Sequence, residues 1–241
     1  MSEFKNFVEK NMLMMKKNLN VAQNDCQKTP SPLTGNITIM LQRLTFFENI
    51  LKYSIERLHM RVVSGSLRGM KLNTIEGEST RPTREVVKEA LFSIIMNYVP
   101  DSVFLDLFAG SGAIGIEAIS RGAKEAIFID LNPKCTKVIS ENVKKGRIED
   151  CCRIYNTDYK MALKKLQGQK LDVIFVDPPY NKQMGIDAIE RISEYDLLSD
   201  DGIIIIETDT NEEVPELVGR YEKYNYKRYG RNILSLYRRK E

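Results

Sequence analysis

Four short apolar runs, each with an aspartate at or just beyond its end, constrain this chain more than any other feature. They are Val103 to Leu107 with Asp106, Glu125 to Asp130, Cys152 to Asn156 followed by Asp158, and Asp172 to Asp177. Each is followed by a stretch with helical spacing: Ala113 to Ser120, Pro133 to Lys145, Tyr159 to Leu166 and Met184 to Glu194. Continuous apolar runs of this length read as strands buried on both faces, and their alternation with helices reads as a doubly wound parallel sheet. Gly202 to Glu207 (GIIIIE) supplies a fifth strand. An amphipathic helix is predicted near Glu212 to Val218, and Tyr221 to Tyr226 and Asn232 to Tyr237 alternate as a closing antiparallel pair. The expected fold is α/β, with a mostly parallel seven-stranded sheet.

The loop after the first run reads DLFAGSGAIG, from Asp106 to Gly115. Gly110, Gly112 and Gly115 lie between a strand and a helix, as a nucleotide-binding fingerprint requires. Glycines there permit a tight turn and let a ligand reach the backbone. Asp130 ends the next strand 20 residues after Gly110, where a carboxylate accepts from both ribose hydroxyls. Two enzyme classes fit. A nicotinamide-dependent oxidoreductase would set a pyrophosphate on the helix N-terminus. An S-adenosylmethionine methyltransferase would lay the amino-acid end of its cofactor across the same loop. Asp106 suits a cationic ligand and would repel pyrophosphate, and Asp158 could accept from an adenine amino group.

The fourth strand decides between them. It runs LDVIFVDPPY, from Leu171 to Tyr180. Pro178 and Pro179 cannot continue the ladder, so Asp177 sits at the carboxyl end of a buried strand, where open α/β sheets bind ligands. Hydride transfer has no use for Asp-Pro-Pro-Tyr; methylation of a conjugated exocyclic amine does. The Asp177 carboxylate and Pro178 carbonyl would accept hydrogen bonds from the amine and draw its lone pair out of the ring. Tyr180 would stack on the base face, a contact worth about 1–3 kcal/mol. A base inside a duplex would have to be flipped out. His59 is the only histidine, which removes most histidine-based catalysis and metal binding.

The remaining chain divides at residue 60. Residues 1–59 include a polar, turn-prone stretch from Asn24 to Gly35 and a helix predicted from Ile37 to Leu58, with no function assigned. Met60 is expected to be the true initiator. From there Arg61 to Ser64 and Met70 to Leu72 suggest a small hairpin. A helix follows from Arg81-Pro82-Thr83 to about Tyr98, with Thr83 as a candidate N-cap. Residues 60–100 and 101–241 are read as an N-terminal hairpin-and-helix segment and a catalytic domain.

The net charge of +3 resides in residues 1–59, and the remainder is balanced. Local clusters therefore carry any case for nucleic acid. One is Arg61, Arg68, Lys71, Arg81, Arg84 and Lys88; the other is Lys223, Lys227, Arg228, Arg231, Arg238, Arg239 and Lys240. Either could equally be a solubilising face. No apolar run approaches the roughly 20 residues of a membrane span, and the N-terminus has no secretory pattern. Cys26, Cys135, Cys151 and Cys152 form no CxxC pair, so free thiols in a cytoplasmic protein are expected.

DLFAGSG, Asp130 and DPPY together resemble class I methyltransferases acting on amino groups of nucleic acid bases. The stretch from Met60 resembles one branch, the RsmD-type 16S rRNA (guanine-N2)-methyltransferases. The branch features are RVVSGxxRGxKL from Arg61 to Leu72, Arg81-Pro-Thr, VxEALF from Val87 to Phe92, and DLFAGSGAIGIEAISRGA ending at Ala123. The resemblance implies a Rossmann-like methyltransferase fold and transfer of methyl from S-adenosylmethionine to one guanine N2 of 16S rRNA. The substrate would be an assembled small-subunit particle, with the enzyme a monomer and no metal involved. Asp106, Phe108, Gly110, Gly112, Asp130, Leu131 and Asp158 would bind cofactor. Asp177, Pro178, Pro179 and Tyr180 would be catalytic, and Arg61, Arg68, Arg81, Thr83 and Arg84 would meet RNA. The rival readings are an adenine-N6 methyltransferase on DNA or RNA, the oxidoreductase above, and a catalytically silent RNA-binding module.

Overall fold

A computed structural model of the chain describes residues 60–75, 82–179 and 182–240, with Met14 and Lys17 besides. The chain divides into two units, Met1–Leu58 and His59–Glu241, and every element below belongs to the second. The segments expected between Asn24 and Leu58 lie outside the described residues.

Helix α1 spans Pro82–Ile94 and leads into strand β1, Val103–Asp106. Then come α2 (Ala113–Ser120), β2 (Glu125–Asp130), α3 (Pro133–Gly146), β3 (Cys152–Asn156) and α4 (Tyr159–Lys165). They are followed by β4 (Leu171–Val176), α5 (Lys182–Glu194), β5 (Leu198–Asp209), β6 (Leu217–Val218), β7 (Tyr221–Tyr229) and β8 (Asn232–Arg239). The strands form one sheet in the order β3-β2-β1-β4-β5-β8-β7-β6. The first five run parallel, and β8, β7 and β6 join antiparallel.

Alternation along the strands sends neighbours to opposite faces. Phe104 and Phe128 pack on one face with Leu91, Phe92, Ile116 and Ile139 from α1, α2 and α3. Leu105, Ile127 and Ile174 pack on the other with Leu163 and Ile189 from α4 and α5. Each such side chain contributes about 1.5–3 kcal/mol by leaving water. Both faces are covered, which is why these strands read as unbroken apolar runs.

Four expectations need correcting. The segment 61–72 doubles back on itself, but its pairing is a single antiparallel bridge, Arg61 with Lys71, and not two strands. Pro82 is the first residue of α1, so Thr83 lies inside the helix and does not cap it; proline fits there because its missing N–H would be unpaired anyway. The helix also ends at Ile94. Beyond it Tyr98 donates to the Ile95 carbonyl at 2.9 Å and Ser102 to Val99 at 3.2 Å, tight turns that bring the chain into β1. Finally, the region predicted as a helix near Glu212 to Val218 holds the two-residue strand β6, which makes the sheet eight-stranded. Pro215 breaks that helical pattern: it lacks the N–H a helix interior needs. Among the described residues no helix is long and apolar enough to cross a membrane.

Candidate active site

The parallel strands bring their carboxyl ends to one edge, and with them Asp106, Asp130, Asp158 and Asp177. Strand order reverses beside β1, whose neighbours are β2 on one side and β4 on the other. A doubly wound sheet opens a crevice at such a reversal, outside the carboxyl ends. The glycine loop leaves β1 and Asp-Pro-Pro leaves β4, so the two motifs flank that crevice. Leu107 N–H bonds the Phe175 carbonyl at 3.0 Å, and Ala109 N–H bonds the Ile129 carbonyl at 2.9 Å. These bonds carry strand geometry one residue past β1 and fix where the loop begins.

Asp106 has a structural duty first. Gly112 is the N-cap of α2 and brings no capping side chain. The Asp106 carboxylate supplies the missing acceptor, taking the Gly115 N–H at 3.1 Å, the donor a cap normally satisfies. Asp106 is 2% exposed. Burial pushes its carboxyl up to about 7, opposed by the Gly115 hydrogen bond and reinforced by the charge of Asp130. It is therefore poised between neutral and charged near physiological pH.

Asp130 shapes the same loop from β2. One oxygen accepts from Gly110 N–H at 2.9 Å and the other from Asn132 N–H at 2.8 Å. Each carboxylate oxygen keeps an acceptor direction for a ligand. Gly110 sits at φ +53°, and a Cβ built there would meet nothing within 4 Å. The loop thus bares its backbone to open space at Gly110, where a side chain would fill the cradle. Gly115 faces inward, where a Cβ would come within 2.3 Å of the Phe128 ring.

Asp158 also caps a helix: its side chain accepts from Lys160 N–H at 2.9 Å at the start of α4. Leu131 is 69% exposed at the end of β2. The half-buried Phe108 ring lies 5.3 Å from that of Tyr159. Tyr159 donates its hydroxyl to Asp187 at 2.8 Å, and Arg191 holds the same carboxylate at 2.8 Å, tying α4 to α5. A cavity of about 530 Å³ lined by Tyr155, Thr157, Met161, Lys164 and Lys165 opens on the β3 side of the sheet. After β4, Asp177 is exposed and Pro178 buried, so the acid projects outward from an anchored backbone. Tyr180 and Arg81 lie outside the described residues, as do the side chains of Thr83 and Arg84.

The segment from Met60 to Ile75 is seated on this machinery. Glu117 of α2 is fully buried and accepts from Val63 N–H at 2.8 Å and Ser64 N–H at 3.0 Å. It also pairs with Arg121 and with Lys88 of α1. Asn142 of α3, also fully buried, accepts from Asn73 N–H at 2.7 Å. Its amide nitrogen donates to the carbonyls of Asn73 and of Ser111 in the glycine loop, each at 3.0 Å. Neither residue was singled out from sequence, yet both carried a signal. Glu117 is an acid in the middle of the apolar helix AIGIEAIS, and Asn142 shares the buried face of Ile139 and Val143.

The basic clusters divide on inspection. Lys88 is 2% exposed and cannot meet RNA; it closes an internal ion pair. Arg61 pairs with Glu85 at 2.9 Å, while Arg68 and Lys71 are exposed. In the C-terminal cluster, Lys223 pairs with Glu216, Arg238 with Glu222, and Arg239 with Asp196.

Sheet order, glycine loop and strand-end acids define a methyltransferase of the Rossmann-like class. The chain belongs to the family described as "Conserved hypothetical protein 95", whose model matches residues 60–238. It is 38% identical over 183 residues to the Bacillus subtilis (strain 168) protein named "Putative rRNA methyltransferase YlbH", covering 75% of this chain and 100% of that one. It is 35% identical over 152 residues to the Haemophilus influenzae "Ribosomal RNA small subunit methyltransferase D", covering 62% and 79%. Among solved structures, "Putative methyltransferase yhhF from Escherichia coli" superposes with a TM-score of 0.68 at 26% identity, covering 76% of this chain and 99% of that chain.

Proposed function

We propose that this protein transfers a methyl group from S-adenosylmethionine to the exocyclic N2 amine of one guanine in 16S rRNA, acting on a small-subunit particle in the cytoplasm. The observation that carries this reading is the pairing of motifs across the sheet reversal. A nucleoside-cofactor loop leaves β1, and an Asp-Pro-Pro turn suited to a planar amine leaves the adjacent β4. The names of the two rRNA methyltransferase relatives support RNA as the substrate class.

The residues fit the cofactor. Gly110 leaves open space beside bare backbone, and Asp130 keeps acceptor directions for ribose hydroxyls. Asp106, once ionised, offers a buried negative charge to a cationic ligand. Leu131 and Phe108 supply apolar surface for the adenine, and Asp158 an acceptor for its amino group. When bound, S-adenosylmethionine supplies an electrophilic methyl group. The protein's work is positioning: Asp177 and the Pro178 carbonyl accept from the guanine NH₂, and Tyr180 stacks on the base. Asp177 and the Pro178 carbonyl would hold the amine protons while the nitrogen takes the methyl group from the sulfonium, and one of those protons would then pass to solvent.

The test offers radiolabelled S-adenosylmethionine with 16S rRNA, small subunits or duplex DNA, and analyses the labelled nucleosides. N2-methylguanosine from the ribosomal substrates is the expected product. N6-methyladenine, or label in DNA alone, would replace this reading with the adenine enzyme.

A further inference from the structure

The C-terminal basic cluster is cut in two by the topology. Strand β8 runs antiparallel to β5, pairing Asp209 with Asn232 at one end and Ile204 with Tyr237 at the other. Its start therefore lies at the carboxyl edge of the parallel strands, beside Asp209, and its end at the opposite edge, where Arg239 donates to the Leu198 carbonyl at 3.0 Å. Lys227, Arg228 and Arg231 flank the β7–β8 turn on the edge that carries Asp106, Asp130 and Asp177. Arg238, Arg239 and Lys240 lie at the other edge.

The two halves also differ chemically. Arg238 and Arg239 hold Glu222 and Asp196, and Arg238 lies 5.2 Å over the Tyr224 ring. Among the described residues, Lys227, Arg228 and Arg231 form no ion pair. All three are exposed, and Arg228 is steadied by donating to the Gly230 carbonyl at 3.2 Å. Tyr226, 62% exposed, stands two residues before Arg228 and so shares its face of the ribbon. The turn thus presents an aromatic plane and unpaired cations together. That is the chemistry that grips RNA, by base stacking and phosphate contact. From β4 to β7 there are three strand spacings, roughly 14 Å.

We propose that the β7–β8 turn, with Tyr226, Lys227, Arg228 and Arg231, is a second RNA-binding surface, on the far side of the crevice from the Met60–Ile75 segment. It takes a nucleotide flanking the target, stacked on Tyr226, with the backbone phosphates on Arg228 and Arg231. This rests on the rRNA reading above, and its test separates the two. Binding of a fluorescent 16S rRNA fragment to the full chain is measured by anisotropy over a salt series, together with KM and kcat on small subunits. Arg228→Glu with Arg231→Glu is expected to weaken RNA binding about tenfold or more and to flatten the salt slope by roughly 0.7–0.9 per lost phosphate contact. KM rises with it, while kcat and cofactor affinity hold. Tyr226→Ala is expected to weaken binding about tenfold with the salt slope kept. Lys240→Glu, a reversal of one charge at the opposite edge, leaves RNA affinity within twofold, and each of Arg228→Glu and Arg231→Glu alone is expected to weaken it by more. Unchanged affinity in the double variant, or an equal loss from Lys240→Glu, would overturn the surface. Photo-crosslinking of the wild-type protein to the fragment gives a reading independent of variant folding. Adducts within residues 226–231 are expected, and adducts confined to Arg238–Lys240 would reject it. Failure of the wild type to methylate any RNA would count against the functional reading instead.

Discussion

Lys88 and Glu117 form an ion pair sealed inside the protein, with 3.0 Å between Nζ and Oε2 and side chains 2% and 0% exposed. Lys88 also donates to the Arg61 carbonyl at 2.5 Å, and Glu117 gathers the Val63 and Ser64 N–H groups. Burial lowers the Lys88 ammonium from its ordinary value, and the Glu117 charge opposes that shift. The pair joins α1, α2 and the 60–75 segment at one point. Lys88→Met leaves the buried Glu117 carboxylate with Arg121 and the Val63 and Ser64 N–H groups but removes its more deeply buried cation contact, a charged hydrogen bond worth about 1.5–3 kcal/mol. Urea denaturation checks this; a loss under 1 kcal/mol would mean that the pair contributes little.

Asn142→Asp tests the bond from α3 to the glycine loop. The substitution keeps the acceptor for Asn73 N–H but turns an oxygen toward two carbonyls that had received donated protons. Each unsatisfied buried group costs about 1–3 kcal/mol. A lower melting temperature is expected, with roughly tenfold weaker binding of S-adenosylhomocysteine, because Ser111 lies between Gly110 and Gly112. Calorimetric titration of the folded variant measures the second effect.

Gly115→Ala forces a methyl group to within 2.3 Å of the Phe128 ring edge. Overpacking of this kind costs about 1–3 kcal/mol. Phe128→Leu in the same chain should return part of it, since the shorter side chain frees that space. Thermal melts of both singles and the double give the coupling, and simple additivity would show that the clash is relieved elsewhere.

Asp106 predicts a pH dependence. Its carboxyl is raised from 3.8 to about 7 in the folded protein, so the neutral form is the one folding favours. The stability this confers is fully present below about pH 3.8 and is lost as pH rises through about 7. Relative to Asp106→Asn, the free protein should therefore lose stability between pH 5 and pH 8. Affinity for S-adenosylmethionine should move the other way, rising with pH as the charge appears. Paired melts and titrations across that range measure both slopes, and matched profiles for the two proteins would refute the assignment.

Asp177→Ala is expected to lower methyl transfer by at least about 10²–10³-fold, the scale of losing a preorganised hydrogen-bond partner. Cofactor affinity should stay within a few-fold, because Asp177 follows β4 whereas the glycine loop follows β1. Single-turnover rates with saturating cofactor separate the two effects. Near wild-type turnover would remove Asp177 from the chemistry.

The strands and the strand-end acids were legible because burial on both faces writes itself as an unbroken apolar run, and Asp-Pro-Pro or a glycine triplet ends such a run sharply. What escaped depended on partners distant in sequence. Nothing local to Asn142 names Asn73, 69 residues away, or Ser111, 31 away. Lys88 looked like a surface cation because Glu117, its partner, belongs to another helix. Val214 and Val218 imitated a helix face, yet Val214 is buried ahead of the two-residue strand to which the buried Val218 belongs, with Pro215 between them. The β7–β8 turn resolved only when strand direction assigned each basic residue to an edge.

The seating of the 60–75 segment has a wider consequence. Val63, Ser64, Leu67 and Asn73 are gripped through main-chain N–H groups, and Arg61 and Lys71 through main-chain carbonyls. The side chains doing the gripping, Glu117, Ser120, Asn142, Lys88 and Lys145, all lie outside the segment. Of its own side chains, Val62 and Leu72 are buried, Met60, Leu67 and Met70 pack against the core, and Arg61 and Asn73 reach Glu85 and Glu141, while Arg68 and Lys71 stay exposed. The exposed Arg68 and Lys71 side chains are thus separate from the groups that seat the segment. Those exposed positions can drift, or be rewritten by design, without the mount beneath them having to be rebuilt.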